Sequence, residues 1–185
     1  MDRDELGAAL REHAYLEGDF VLRSGRRSRY YLDKYRFETR PDLLGPLGEL
    51  ISEAVREHEP DAQRLAGPEL GAVALAAAAS LASGLPFLIV RKEAKEYGTA
   101  NRLEGVFDEG ERVCLVEDVV TSGGAAIAAI EALRETGLEV ETAVCVVDRE
   151  EGGADALAGV GVRLEALFRP SELLQLSKSA AKPHG

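Results

Sequence analysis

Four short apolar runs constrain this chain more than any other feature: Arg64-Leu65-Ala66, Phe87-Leu88-Ile89-Val90, Val113-Cys114-Leu115-Val116 and Ala143-Val144-Cys145-Val146-Val147. A strand with one wet face alternates apolar and polar residues, and these do not, so both faces of the sheet they build must be covered. Helical rhythm near residues 70–83 and 124–136, between the runs, supplies the cover. The pattern predicts an α/β fold with a mainly parallel sheet flanked by helices. Ligands of such sheets bind beyond the carboxyl ends of the strands, so the residues that follow each run carry the functional information.

Ahead of the first run, Leu6, Ala9, Leu10 and Tyr15 predict a short helix. Phe20-Val21-Leu22 and Tyr30-Tyr31-Leu32, on either side of Arg23-Ser24-Gly25-Arg26-Arg27-Ser28, predict a hairpin. Pro41 is placed to open a helix carried by Leu43, Leu44, Leu47, Leu50, Ile51 and Val55 and stopped at His58-Glu59-Pro60. Residues 91–105 are polar and patternless between two strands, a connection long enough to predict a mobile functional loop. No internal repeat is present, and the tail 178–185 is expected to be disordered.

The length of 185 residues predicts one compact unit, and 45% hydrophobic residues suffice for its core. Acidic residues outnumber basic ones by 33 to 22, and the net charge of -11 argues against nucleic acid and membrane as partners. An anionic ligand must then be captured by local clusters of Arg, Lys and backbone N–H groups. Cys114 and Cys145 each lie within an apolar run with no metal-binding spacing, as buried reduced thiols do, and predict a cytoplasmic setting. No apolar stretch reaches the roughly 18 residues of a spanning helix.

Residues 113–124 hold the most specific signal: an apolar strand, then Glu117-Asp118, Val119-Val120 and Thr121-Ser122-Gly123-Gly124 at the start of a helix. Glycines let backbone N–H groups approach an anion, the two hydroxyls can donate, and the helix aims its positive end at a phosphate. Glu117 and Asp118 accept hydrogen bonds, so they suit the vicinal hydroxyls of a ribose or the organisation of a divalent cation. Phosphate and ribose together suggest a ribose 5-phosphate group. A P-loop is excluded because no GxxxxGK[ST] occurs, and a dinucleotide fold because no GxGxxG follows a strand.

With these residues the chain resembles the type I phosphoribosyltransferases, and among them the branch that acts on orotate. The narrower resemblance rests on residues 20–31, on Gly67-Pro68-Glu69-Leu70-Gly71, on Arg91-Lys92-Glu93-Ala94-Lys95-Glu96-Tyr97-Gly98 and on Asp148-Arg149. It implies one domain over residues 1–177, with residues 1–35 forming a small hood of a helix and a hairpin. It further implies Mg²⁺, held mainly by substrate with Glu117 and Asp118 nearby, and a homodimer in which loop 92–105 completes the neighbouring site.

The resemblance also distributes roles. Phosphoribosyl pyrophosphate would be held by Arg91, Lys92, Lys95, Tyr97, Glu117, Asp118, Val119, Val120, Thr121, Ser122, Gly123, Gly124 and Ala125. Lys92, Lys95, Arg91 and Asp118 would serve the chemistry. Orotate would be held by Arg23, Tyr30, Tyr31, Thr121 and Arg149, the last pairing with a carboxylate that uracil lacks.

Read alone, several of these residues have plainer explanations. The cations at 91, 92 and 95 fit a solvated loop, the tyrosines an ordinary cross-strand aromatic pair, and Arg149 a surface ion pair with Glu150 or Glu151. Three departures from the family pattern stand out: Arg23 and Gly71 where many or some members have Lys, and Tyr97 where His is common. Each alters charge or reach. Two alternatives stay open, a phosphoribosyltransferase for another base and a non-catalytic sensor of phosphoribosyl pyrophosphate.

Overall fold

The computed structural model describes residues 1–21, 25, 27–93 and 102–176. Helix α1 (Arg3–Ala14) starts with a capping box: the Asp2 side chain accepts from the Glu5 N–H, and the Glu5 carboxylate accepts from the Asp2 N–H. Leu6, Leu10 and Ala14 are buried along one stripe of it. Tyr15 does not extend this helix as its apolar character suggests. Its backbone turns extended, and it begins β1 (Tyr15–Val21), opposite Leu32 of the antiparallel β2 (Arg27–Leu32). Its ring gains a stacking partner there, Tyr30, at 4.8 Å between centroids.

After the hairpin come α2 (Tyr35–Glu38), α3 (Pro41–His58), β3 (Arg64–Pro68), α4 (Gly71–Ser83), β4 (Phe87–Val90), the two-residue β5 (Leu103–Glu104), β6 (Val113–Val120) and α5 (Gly124–Arg134). The chain continues through β7 (Thr142–Asp148), α6 (Gly153–Gly159), β8 (Arg163–Phe168) and α7 (Pro170–Gln175). The helix expected from Pro41 to His58 has those bounds, and all four apolar runs are strands.

The six-stranded sheet runs in the order β5-β4-β3-β6-β7-β8, parallel except for the antiparallel edge β5. It separates two cores. Leu65, Cys114, Val116, Val144 and Val146 pack with Leu10, Phe37, Leu47, Ile51 and Leu75. Ala66, Leu115 and Ala143, at adjacent positions of the same strands, pack with Ile130, Leu133 and Leu157. Burial on both sides is why these strands read as unbroken apolar runs. The hood joins the first core through Leu6, Leu10, Ala14 and Leu32, with Phe37 of α2 packed beside them.

Strand order creates the site. From β3 the chain crosses to β4 on one side and later returns to β6 on the other, so connections leave β3 and β6 in opposite directions. A crevice opens beyond the carboxyl ends of strands at such a point. Here it lies between Pro68, at the end of β3, and Val120, at the end of β6.

Candidate active site

Alternation along β6 continues past its apolar part and separates the two acids. Glu117 belongs to the face of α5, and Asp118 to the face of α3, α4 and the hood. Glu117 lines a cavity of about 60 Å³ together with Val119, Val120, Thr121, Ser122, Gly123, Gly124 and Ala125. The cavity lies at the N-terminus of α5, where Gly123 occupies the N-cap position with φ of 84° and no side chain caps the helix. A left-handed backbone of this kind suits glycine, and a Cβ there would also come within 2.8 Å of Leu157 Cδ1. Uncapped N–H groups, two hydroxyls and the positive end of a helix dipole together make an anion site.

Asp118 meets two residues that no local motif announces. Its Oδ2 accepts a hydrogen bond from Lys34 Nζ at 2.5 Å, and the aspartate is almost fully buried. Glu38, at the end of α2, is buried beside it, with no hydrogen-bond partner on its Oε1. Gly71 closes the group from the α4 side: a Cβ at this position would fall 2.0 Å from Asp118 Oδ2, 2.8 Å from Glu38 Oε1 and 3.0 Å from Lys34 Nζ.

The electrostatics follow from crowding. Burial, and then the charge of Asp118, push the Glu38 carboxyl up to about 8. The same two causes, in the same order, push Glu117 up to about 8. Burial draws the Lys34 ammonium down, but its hydrogen bond to Asp118 and the surrounding negative charge outweigh this and leave it raised. Lys34 is therefore a firm cation among three acids.

The loop after β3 carries Glu69, joined to Leu70 by a cis peptide bond. Glu69 Oε1 accepts from the Lys92 N–H at 2.6 Å, and the Glu69 N–H donates to Val90 O at 2.8 Å. These bonds hold the first residues of the long polar loop against the crevice. Arg91 pairs with Glu104 at 3.5 Å, on the strand where the loop returns. Lys95 and Tyr97 lie outside the described residues, as does Arg23 in the hairpin turn.

At the end of β7 the Arg149 N–H donates to Val120 O, which sets Arg149 beside the loop that joins β6 to α5. Its guanidinium carbon lies 4.9 Å from the centroid of the Tyr30 ring, and its side chain is only 9% exposed. Glu151 lies 3.2 Å from Arg149 Nε, a nitrogen that is buried with no hydrogen bond. The ion pair weighed from sequence exists, but with Glu151 and off the surface. Tyr30 and Tyr31 point to opposite faces of β2. Tyr30 stacks on Tyr15 under Arg149, whereas Tyr31 is 42% exposed and leans on Phe20. Thus Arg149 and Tyr30 meet beside the end of β6, Thr121 lines the cavity at α5, Asp118, Lys34 and Glu38 gather around Gly71, and Lys92 is tied by its N–H to Glu69.

Lys34, Glu38 and Tyr15 were not identified from sequence. The contact of Lys34 with Asp118 spans 84 positions, so no spacing rule encodes it. Both cysteines are free and buried, and burial pushes the Cys114 thiol up to about 12, out of reach of nucleophilic chemistry. Among the described residues no group of three or more His, Cys, Asp or Glu converges to hold a metal, and no helix is long and apolar enough to cross a membrane.

Comparison with known proteins agrees with this geometry. Residues 37–160 match the phosphoribosyl transferase domain model, a span that holds every strand of the six-stranded sheet except β8, and the chain belongs to that family. Over 157 residues it is 52% identical to the orotate phosphoribosyltransferase of Methanocella arvoryzae, covering 85% of this chain and 88% of the relative. Orotate phosphoribosyltransferase of Mycobacterium tuberculosis, solved in complex with Fe(III) dicitrate, superposes with a TM-score of 0.83 at 34% identity, over 94% of this chain and 99% of that one. The same enzyme in complex with 5-phospho-α-D-ribosyl 1-diphosphate gives a TM-score of 0.79 at 31% identity, with the same coverage. Within the larger family the chain therefore falls among the orotate phosphoribosyltransferases.

Proposed function

We propose that this protein transfers ribose 5-phosphate from phosphoribosyl pyrophosphate to N1 of orotate, giving orotidine 5′-monophosphate and pyrophosphate on the route to UMP. The observation that carries the reading is Arg149, almost buried, lying over Tyr30 and bonded through its backbone to the end of β6. A base bearing a carboxylate fits a guanidinium held in this way, and an aromatic ring fits beside Tyr30. Orotate offers both. The relatives' names point the same way.

The reaction is a displacement at an anomeric carbon through an oxocarbenium-like transition state, so it needs held substrates and a stabilised leaving group more than a protein nucleophile. Residues 121–125 hold the 5′-phosphate at the N-terminus of α5. Glu117 and Asp118 accept hydrogen bonds from the ribose hydroxyls, and Arg91, Lys92 and Lys95 offset the charge of departing pyrophosphate. Arg23, Tyr30 and Tyr31 complete the base pocket, Tyr31 through its backbone, and Tyr97 serves the loop as a hydrogen-bond donor.

Buried carboxylate oxygens without hydrogen-bond partners, Glu38 Oε1 and Glu117 Oε1, fit a hard divalent cation close by, which substrate would largely carry. Mg²⁺, when bound, supplies neutralising charge to the pyrophosphate oxygens. Residues 1–177 act as one domain, with the hood of residues 1–35 over the base, in a homodimer whose loops 92–105 complete each other's sites. The setting is cytoplasmic, in keeping with two buried free thiols.

The test is to supply phosphoribosyl pyrophosphate and Mg²⁺ with orotate, uracil, adenine, guanine or xanthine in turn and to measure nucleotide and pyrophosphate. Product with orotate alone is expected. Product with a different base would move the protein to another branch of the family, and binding of phosphoribosyl pyrophosphate with no product would make it a sensor.

A further inference from the structure

Lys34 is the one described cation that bonds directly to an acid of the β6 motif, and neither the sequence motifs nor the comparisons give it a part. It follows the hairpin at the N-cap position of α2, and from there its ammonium reaches over the first residue of α4. Three features define its surroundings. Asp118 is its ion partner at 2.5 Å, and the carboxyls of Glu38 and Glu117 crowd the same space. The absence of a side chain at Gly71 makes the space in which Asp118 and Lys34 meet, since a Cβ would lie 2.0 Å from the carboxylate oxygen. The lysine itself is 33% exposed, so it stands at the mouth of the crevice and not in its floor.

An ammonium has three hydrogens to donate, and Asp118 takes one. Stereochemistry says where the others lead. In phosphoribosyl pyrophosphate the diphosphate leaves C1 and the hydroxyls sit on C2 and C3, so a cation touching the carboxylate that receives those hydroxyls stands about one sugar bond from the leaving group. A donor that brings several negative charges would also be repelled by the buried Asp118 carboxylate unless a fixed cation stood beside it.

We propose that Lys34 is a further donor-binding residue, which Asp118 holds over Gly71 in the ligand-free protein and which donates a hydrogen bond, through a hydrogen that Asp118 does not take, to the pyrophosphate group. This rests on the functional reading above. Glu38 acts behind it as a positioning residue, and Gly71 is the clearance that lets donor, lysine and aspartate share one space.

Inorganic pyrophosphate is the decisive probe, because it has no ribose and cannot report on Asp118. Binding of pyrophosphate with Mg²⁺ is measured by calorimetry for the wild type, Lys34→Met and Lys34→Arg, with thermal melts to show that each is folded. Lys34→Met should weaken pyrophosphate by at least about tenfold, the usual worth of a charge-assisted hydrogen bond, and Lys34→Arg should recover part of the loss. In turnover, KM for phosphoribosyl pyrophosphate should rise by a similar factor while KM for orotate stays within about twofold.

If Lys34→Met binds pyrophosphate as the wild type does yet loses phosphoribosyl pyrophosphate, Lys34 acts only through Asp118 and the proposal is overturned. Should the variants fail to fold, acetylation of Lys34 in the wild-type protein, followed by mass spectrometry, replaces them. Magnesium pyrophosphate should then slow modification of Lys34, and equal rates with and without it would refute the contact. A wild type that forms no orotidine 5′-monophosphate but binds pyrophosphate through Lys34 would remove the functional reading and leave this one standing.

Discussion

The guanidinium of Arg149 lies over the ring of Tyr30, 4.9 Å from its centroid, although 119 positions separate the two in the chain. Two unrelated elements make the contact: a hairpin outside the main sheet and the turn after β7. The hood thus does more than cover the core, because it brings an aromatic face to the cation at the end of the sheet. Arg149→Ala should therefore reduce kcat/KM for orotate by about a hundredfold, the loss typical when one partner of a buried charge pair is removed, and leave pyrophosphate binding unchanged. Arg149→Lys should restore little, since an ammonium lacks the planar fork. A steady-state comparison of the two substrates checks this, and an equal loss for both would point to a folding defect instead.

Strand alternation divides the two tyrosines and predicts unequal effects. Tyr30→Leu removes the ring beneath Arg149 and the stack on Tyr15, so KM for orotate should rise by about tenfold. Tyr31→Leu alters an exposed side chain on the other face and keeps the backbone, so KM should stay within about twofold. If the leucine at 31 proved the more damaging, the hairpin would have to present its other face to the base.

How far the molecule can be read from its sequence depends on how local each feature is. Strands β3, β4, β6 and β7 are visible because burial on two sides leaves continuous apolar runs. Edge strand β8, Arg-Leu-Glu-Ala-Leu-Phe with an exposed first residue, leaves no such run and goes unread, as do seven-residue α6, which opens beside Gly152, and the four-residue α2. The β6–α5 loop is legible because its chemistry is contiguous. Lys34 and Glu38 are not, since their roles arise from packing against Asp118 across the fold and their own neighbourhood reads as ordinary charged surface. Alternation would have separated Tyr30 from Tyr31, but an aromatic pair reads more readily as one unit.

Gly123 tests the phosphate loop. At φ of 84° any side chain is strained, and a Cβ would come within 2.8 Å of Leu157. Gly123→Ala should cost on the order of 1–2 kcal/mol of stability and displace the first N–H groups of α5. The expected result is a melting temperature lower by a few degrees and a KM for phosphoribosyl pyrophosphate raised by at least about tenfold, with orotate binding less affected. A variant with wild-type donor binding would place the 5′-phosphate elsewhere.

The acids around Lys34 predict a pH dependence of stability in the ligand-free protein. Glu38 has its carboxyl raised from 4.5 to about 8, first by burial and then by the charge of Asp118. A raised acid binds its proton more tightly in the folded state, so folding takes up a proton between the two values, and stability falls as pH rises through this window. Glu117, raised to about 8 by the same causes, adds a slope of the same sign. Asp42 and Glu111 are lowered by their Arg40 and Arg64 partners, so their contribution falls away below the ordinary carboxylate range and does not compete in this window. Glu38→Gln removes one of the two falling contributions. Melts in chelator should show little difference from wild type near pH 5 and a variant more stable by a few degrees near pH 8.5, where the gain is on the order of 1–3 kcal/mol after allowance for the shared charge of Lys34 and Asp118. A Gln variant less stable than wild type at the higher pH would mean that the ionised Glu38 is held by Lys34 strongly enough to offset its burial.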